Sequence, residues 1–243
     1  KACTGGDAAA LLLTADKWRT KAVLRAAGVP VPDGVRVAVD DTSAAYAVPT
    51  GRLIVKPLGT DGSEGIDARG SIFDGACSAL VERVHMLQTQ FRQPVLIEQF
   101  WGTREFQAAL LEQDGDVRVL AIAEIDFSTL DPAFNPVVDY AAKWHSDSHE
   151  YIHTPRILPA RIAPAFAREL SRLAVRAWQA TGCNDYARVD FRANDTSAPV
   201  VLEVNVNPDI APESGYAAAL AHAGIDYDTF ITTIIRNASQ RSS

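Results

Sequence analysis

Hydrophobic residues recur along the chain with two periods, and these separate helices from strands. Apolar positions three and four apart mark a helix at 74–91, where Ala76, Leu80, Val84 and Leu87 form a stripe. A second stripe, of Phe166, Leu170, Leu173, Ala174 and Ala177, marks a helix at 162–181 that Gly182 stops. A helix over 16–27 is ended by Gly28 and followed by Val29-Pro30-Val31-Pro32, where each proline disfavours helix in the residue before it. Two closing helices, 213–223 and 227–237, flank Gly224. Shorter apolar runs bounded by turn residues read as strands at 53–55, 95–101, 105–112 and 117–127, with Gln113-Asp114-Gly115-Asp116 as a hairpin turn. Between 128 and 154 the period is weak and turn chemistry dominates, which predicts a long loop of the kind that serves as a lid.

The rest of the pattern is organised around 188–205, where a strand reading RVDF, a turn over 194–198 and a strand reading VVLEVN make a hairpin. Successive strand side chains point to opposite faces, so Arg188 shares a face with Asp190, and Glu203 shares one with Asn205. Three oxygen ligands and a guanidinium can therefore converge. Mg2+ prefers oxygen and is held by one or two carboxylates plus substrate phosphates, so such a face suits nucleotide chemistry. An ordinary hairpin with a polar, solvated face has the same alternation.

Other stretches carry compatible chemistry. Lys17 and Lys21 lie four apart on one helical face, as solvated lysines often do. Lys56 ends a strand and leads into Leu58-Gly59-Thr60-Asp61-Gly62-Ser63-Glu64-Gly65-Ile66, whose glycines let backbone N–H groups wrap an anion. The lysine precedes the glycines and no Gly-Lys-Ser/Thr follows, so this is no Walker A, and a plain glycine-rich turn has the same composition. Glu98, Gln99, Phe100 and Trp101 put polar groups beside aromatic surface, which suits a flat purine, and Glu105 is spaced to return to a ribose hydroxyl. Two exposed glutamates on a hairpin read the same way. His145, His149 and His153 recur every four residues, but Pro155 and the surrounding turn formers argue against the helix that would align them on a metal.

Composition narrows the class. The 243 residues are 47% hydrophobic, enough for a sizeable core, and the net charge of -7 has the wrong sign for a nucleic-acid binder. Cys3, Cys77 and Cys183 show no Cys-x-x-Cys spacing and are expected to be reduced, buried thiols. No apolar run reaches the roughly 18–20 residues of a membrane span and the N-terminal stretch carries no signal-peptide pattern, so a cytoplasmic protein without a membrane partner is expected.

Collinear stretches DKWRTKAVLRAAGVPVP, LIVKPLGTDGSEGI, VLIEQFWGTREFQAALL, DYAAKW, YARVDF and VVLEVNVNP resemble the ATP-grasp superfamily, and within it the D-alanine:D-alanine ligase branch. The resemblance implies an α+β fold of two lobes with mainly antiparallel sheets that grip ATP between them. Residues 16–100 would form the small central lobe and 101–243 the large C-terminal lobe. Residues 1–15 would be a remnant following a Rossmann-like domain that this chain lacks.

The resemblance also implies roles. Lys17 and Lys56 would sit on the ATP phosphates, with Ser63 in the loop that covers them. Glu98 would accept from the adenine amino group, Gln99 and Trp101 would lend backbone to its edge, and Glu105 would hold the ribose. Lys143 would lie near the terminal phosphate. Asp190, Glu203 and Asn205 would ligate Mg2+, two ions in the family pattern, with Mn2+ as a substitute. Arg188 would stabilise charge at the reacting centre, and Ser214 would contact the carboxylate of the second substrate.

The implied reaction joins a carboxylate to an amine through an acyl phosphate, with ATP and small amino-acid or peptide substrates, and dimers are the family habit. Asp209 stands where the family usually has glycine after Pro208, Gly62 where the D-alanine enzymes carry a serine, and Trp144 where they often carry a tyrosine. These departures fall on the substrate side. They keep open a ligase of peptide or natural-product assembly with another substrate, and a non-catalytic ATP-sensing module.

Overall fold

The computed structural model describes residues 3–194 and 198–241; positions 195–197 of the expected 194–198 turn lie outside the described residues, as do 1–2 and 242–243. Two antiparallel sheets organise the chain. The smaller runs β1 (Gly34–Val37), β4 (Val95–Gln99), β2 (Arg52–Pro57), β3 (Ile72–Asp74). Helix α3 (Ser78–Phe91) packs Leu80, Val84 and Leu87 against Leu53, Val55, Val95 and Ile97 of this sheet. It starts later than its apolar stripe predicts, because Ile72–Asp74 is drawn into the edge strand by pairing with β2 and leaves Ala76 in the intervening turn.

The larger sheet runs β7 (Arg156–Ile157), β6 (Asp116–Ile125), β5 (Arg104–Gln113), β8 (Tyr186–Ala193), β9 (Val200–Asn205). Its strands alternate, so Ala108 and Leu110 enter one core while Ala109 and Leu111 enter another. Helix α6 (Pro164–Thr181) fills the first with Leu170, Leu173, Ala174 and Ala177, all fully buried against Phe106, Val189 and Phe191. Helices α7 (Gly215–His222) and α8 (Tyr227–Arg241) cover the opposite face with Tyr216, Leu220, Phe230 and Ile234, around Leu111 and Tyr186. That cover stops short. Farther along β8, Arg188, Asp190 and Arg192 lie on the same face with no helix over them, and there the sheet turns toward the smaller one.

Helices α1 (Ala8–Thr14) and α2 (Lys17–Ala26) precede the smaller sheet in sequence but pack on the larger one, where Ala10 and Leu24 join the core around Val204 and Val206. Asp16 caps α2 by accepting from the amides of Trp18 and Arg19, which fixes where the buried face of that helix begins. The Gly5 amide donates to Asp185 at 2.6 Å, and Asp185 also takes Arg241 of α8, so the N-terminal stretch is docked rather than loose.

The segment 128–154 contains two short helices that the apolar period did not predict. They are α4 (Tyr140–Trp144) and α5 (His149–Ile152). Their ends are set by caps instead: Asp139 accepts from Ala142 N at 2.9 Å and Ser148 from Tyr151 N at 3.1 Å. His149 and His153 stack at 3.9 Å while the His145 ring packs edge-on to Tyr140. Of the cysteines only Cys183 is buried; Cys3 and Cys77 are exposed, because both lie outside the apolar stripes of the helices beside them. Among the described residues no helix is long and apolar enough to cross a membrane.

Candidate active site

The β8–β9 register brings together the residues singled out on the two strands. Arg188 pairs with Asn205 and Asp190 with Glu203, so all four project from one face. Arg188 grips Asp190 with both arms, Nε to Oδ1 at 2.7 Å and Nη2 to Oδ2 at 2.8 Å. Burial works against the guanidinium charge, but Asp190, Glu203 and Glu105 outweigh it and hold Arg188 above its ordinary range. Among the described residues nothing hydrogen-bonds or ion-pairs with the Glu203 carboxylate. Burial works to raise its pKa, but Lys143, Lys17, Arg188 and Lys56 bring it down to about 2. The Asn205 side-chain oxygen accepts from the Asn207 amide at 3.1 Å.

Opposite this face, the smaller sheet presents a buried charge cluster. Lys56 and Glu98 are diagonal neighbours across β2 and β4 and form an ion pair. Lys21 reaches Glu98 Oε2 at 3.2 Å from α2 and donates to the Leu202 carbonyl at 2.7 Å, so it ties the helix to β9 and to the smaller sheet at once. Burial pushes Lys21 down to about 8 against the pull of Glu98. Glu98 is 1% exposed; burial would raise it, but Lys21 and Lys56 outweigh burial and depress it. The family resemblance implied an adenine amino group as the partner of Glu98, whereas in the structure both oxygens turn to lysines. The Lys21 contact lacks hydrogen-bond geometry, however, so Oε2 is buried with no hydrogen-bond partner among the described residues.

Glu105 and Arg192 stand opposite each other on β5 and β8, with Nη1 3.3 Å from Oε2. Arg192 is 2% exposed and also donates to the carbonyls of Trp101, Gly102 and Pro136, with its guanidinium over the Phe100 ring at 4.2 Å. The sequence reading missed Arg192. Alternation marked it, since it lies two residues beyond Asp190 and four beyond Arg188 on the same face. The Trp101 carbonyl is thus occupied, as is the Gln99 amide, which donates to Asp33 at 2.8 Å.

Lys17 Nζ donates to the Leu58 and Thr60 carbonyls of the glycine-rich loop. Burial lowers its pKa, Lys56 adds to that, and Glu203 opposes it. Ser63 takes a left-handed φ of 62° and donates to the Val138 carbonyl at 2.7 Å, which pins the loop to the segment before α4. Trp144 of α4 donates its indole N–H to the Gly62 carbonyl at 2.9 Å. Gly62 has φ +62° and a Cβ there would lie 3.1 Å from the indole, so this close crossing needs glycine.

These groups line two connected spaces. A narrow slot of about 70 Å3 runs between Ile54, Ile66, Phe100, Val137 and Leu202, with Glu98 and Glu105 at its sides. It opens past Lys17, Lys143 and Glu203 into a cleft of about 980 Å3 that reaches Arg188, Asn205 and Ser214. Ser214 is the N-cap of α7, with Oγ accepting from Ala217 N at 3.2 Å. All the singled-out residues except Gln99, which lines the slot but sends its side chain toward Thr50 at 3.4 Å, thus keep a polar group at these walls or in the contacts that shape them.

The family model for the D-ala D-ala ligase C-terminus matches residues 52–236. The chain belongs to the D-alanine–D-alanine ligase family. It is 31% identical to a D-alanine–D-alanine ligase of Caulobacter sp. over 99% of its own length and 70% of that relative's. It is 30% identical to the uncharacterized protein y4sG of Sinorhizobium fredii over 94% of its own length and 64% of that relative's. The chain therefore spans about two thirds of the curated relatives it matches. In fold it is similar to the VanG D-Ala:D-Ser ligase of Enterococcus faecalis, with a TM-score of 0.74 at 22% identity, covering 97% of this chain and 64% of that one. It is similar also to the ATP complex of a Bacillus anthracis D-alanine–D-alanine ligase, with a TM-score of 0.71 at 20% identity, covering 98% and 70%. The two α+β layers are thus the ATP-grasp fold of this D-alanine–D-alanine ligase family. Two of this member's departures, Gly62 and Trp144, turn out to be one contact.

Proposed function

We propose that the protein is an ATP-dependent carboxylate–amine ligase that forms an amide through an acyl phosphate. The observation that carries this is the slot opening onto a cleft where one unpartnered carboxylate, Glu203, faces Lys17, Lys143 and Arg188. In this reading the purine lies in the slot and its amino group donates to the open lone pair of Glu98 Oε2. Glu105, oriented by Arg192, holds the ribose, and Lys17, Lys56 and Lys143 meet the phosphates with the amides around Ser63.

The donor set fits Mg2+. Glu203 is ionised and unpartnered, Asn205 offers an amide oxygen, and Asp190 keeps lone pairs beyond those Arg188 uses, which matches one or two carboxylates shared with substrate phosphates. When bound, the metal neutralises charge on the transferring phosphate. Lys17 and Lys143 hold the terminal phosphate in line with the first substrate's carboxylate, whose oxygen takes the phosphoryl group as the bond to ADP breaks. The amine of the second substrate then attacks the acyl carbon, the bond to phosphate breaks, and the amine proton leaves to water. Arg188, fixed by Asp190, steadies the oxyanion between those steps. In this reading residues 16–100 form the small lobe and 101–243 the large one, although α2 of the first span packs on the larger sheet through Leu24.

ADP release is the test, measured with Mg2+, ATP and a panel of D- and L-amino acids and dipeptides on the protein at its natural length. The expected result is release that needs both the metal and a particular acceptor. ATP binding without acceptor-dependent release would overturn the ligase reading in favour of a nucleotide-sensing module. The Trp144–Gly62 contact gives a second expectation. Trp144→Phe removes one hydrogen bond worth about 0.5–1.5 kcal/mol, so the ATP dissociation constant should rise about 2- to 10-fold by calorimetry. An unchanged constant would mean that the contact does not close over the nucleotide.

A further inference from the structure

Lys21 lines neither the slot nor the cleft and is 3% exposed, yet it joins the two sheets behind them. From α2 its Nζ donates to the Leu202 carbonyl of β9 at 2.7 Å and lies 3.2 Å from Glu98 Oε2 on β4. Burying an ammonium so completely is costly unless it is paired, and here both partners shape the slot.

The two lysines on Glu98 treat its oxygens differently. Lys56 takes Oε1 in a hydrogen bond, whereas Lys21 faces Oε2 without hydrogen-bond geometry and directs an N–H to Leu202 instead. Oε2 therefore lies beside a cation while its acceptor capacity stays open, buried with no hydrogen-bond partner among the described residues. The root of the side chain is fixed as well. Opposite Glu98, β1 passes so close that a Cβ on Gly34 would lie 2.9 Å from Glu98 Cβ. Lys21 and Lys56 hold the carboxylate ionised against burial; Lys17 of α2 also faces it, and β1 sets only Gly34 opposite it.

A base in the slot presents one of two edges at that point. The exocyclic amino group of adenine donates, whereas the oxo group of hypoxanthine or guanine only accepts, and two acceptors facing each other in a dry slot are left unpaired. We propose that Lys21 is a positioning residue for base selection: it keeps Glu98 ionised with Oε2 open toward the slot, so the slot takes a base edge that donates and rejects one that accepts. The proposal rests on the nucleotide reading above and deepens it. Without Lys21 burial weighs more heavily and Glu98 takes up a proton; a neutral carboxyl donates as well as accepts, and no longer tells the two edges apart.

The experiment is calorimetric binding of ATP and of inosine triphosphate, whose bases differ in that edge, with Mg2+ and without acceptor. It is run on the unaltered protein at its natural length and on Lys21→Met, Lys21→Gln and Lys21→Arg. The unaltered protein should bind ATP about 100-fold tighter than inosine triphosphate. That ratio should be flat between about pH 6 and 7.5, because Glu98 is depressed and Lys21, pushed down to about 8, stays charged there. In Lys21→Met the ratio should fall below about 10 near pH 6 and climb with pH, since the raised carboxyl is protonated at the low end. Lys21→Gln keeps an N–H for the Leu202 carbonyl and should lose the ratio in the same way, which separates the charge from the tether. Lys21→Arg restores the cation and should restore most of the ratio. A ratio undiminished in Lys21→Met or Lys21→Gln, with ATP still bound, overturns the proposal alone. Equal losses for the two nucleotides, or a lowered ratio that does not move with pH, show a structural role only and overturn it as well. Equal binding of the two nucleotides to the unaltered protein, or binding of neither, overturns the reading of the slot and the proposal together. With no acceptor present, the ratio is read whether or not the chain completes a ligation.

Discussion

Glu203→Gln should lower ATP turnover by about 100- to 1000-fold while ATP binding without metal holds or tightens. Glutamine keeps the shape and an oxygen but removes the one unpartnered carboxylate in a cleft lined by Lys17, Lys143 and Arg188. A metal that loses such a ligand forfeits several kcal/mol of charge stabilisation in the transition state, and 1.36 kcal/mol is tenfold in rate. Removing the anion also leaves the cations freer to attract phosphates, so ground-state binding moves the other way. Turnover and metal-free ATP affinity, measured side by side, check the split. Unchanged turnover would remove Glu203 from the metal set.

The same residue sets a pH signature. Its folded-state pKa of about 2 lies below the ordinary glutamate value of 4.5, so its contribution to stability is present above about 4.5. That contribution fades as pH falls through the interval down to about 2. Acid unfolding of Glu203→Gln should therefore show a shallower limb there than the unaltered protein.

How far these features were legible depends on whether they were local. The stripe of α6, the alternation of β5 and the Arg188–Asp190 and Glu203–Asn205 pairs follow from periods of 3.6 and 2, and each appears in the structure. The helices of 128–154 do not, because Asp139 and Ser148 start them by capping and neither buries an apolar stripe. Charge networks were least legible. Lys21 and Glu98 are far apart in sequence, and nothing local shows that α2 leaves its neighbour β1 to pack on the other sheet, where Lys21 can bridge the two.

Arg192→Met should destabilise the fold by about 3–5 kcal/mol, and the loss should grow with pH. Methionine fills much of the same volume, but it leaves Glu105 as a buried unpaired carboxylate and strands the carbonyls of Trp101, Gly102 and Pro136. Burial already raises the pKa of Glu105, with Arg192 opposing it, so removing Arg192 raises it further. A carboxyl whose folded-state pKa is raised contributes stability that is present below its unfolded value and is lost as pH rises through the folded one. The difference in urea midpoint between variant and unaltered protein should therefore be smaller near pH 4.5 than near pH 7.5. A difference independent of pH would show that Arg192 acts by packing on Phe100 alone. Arg192→Lys restores the charge at Glu105 but not the fork that reaches three carbonyls, so it should recover the pH dependence while recovering only part of the stability. Because those carbonyls belong to the strand end beside the slot and to the segment that precedes α4, the variant that loses them should also loosen the walls on which the purine is proposed to lie.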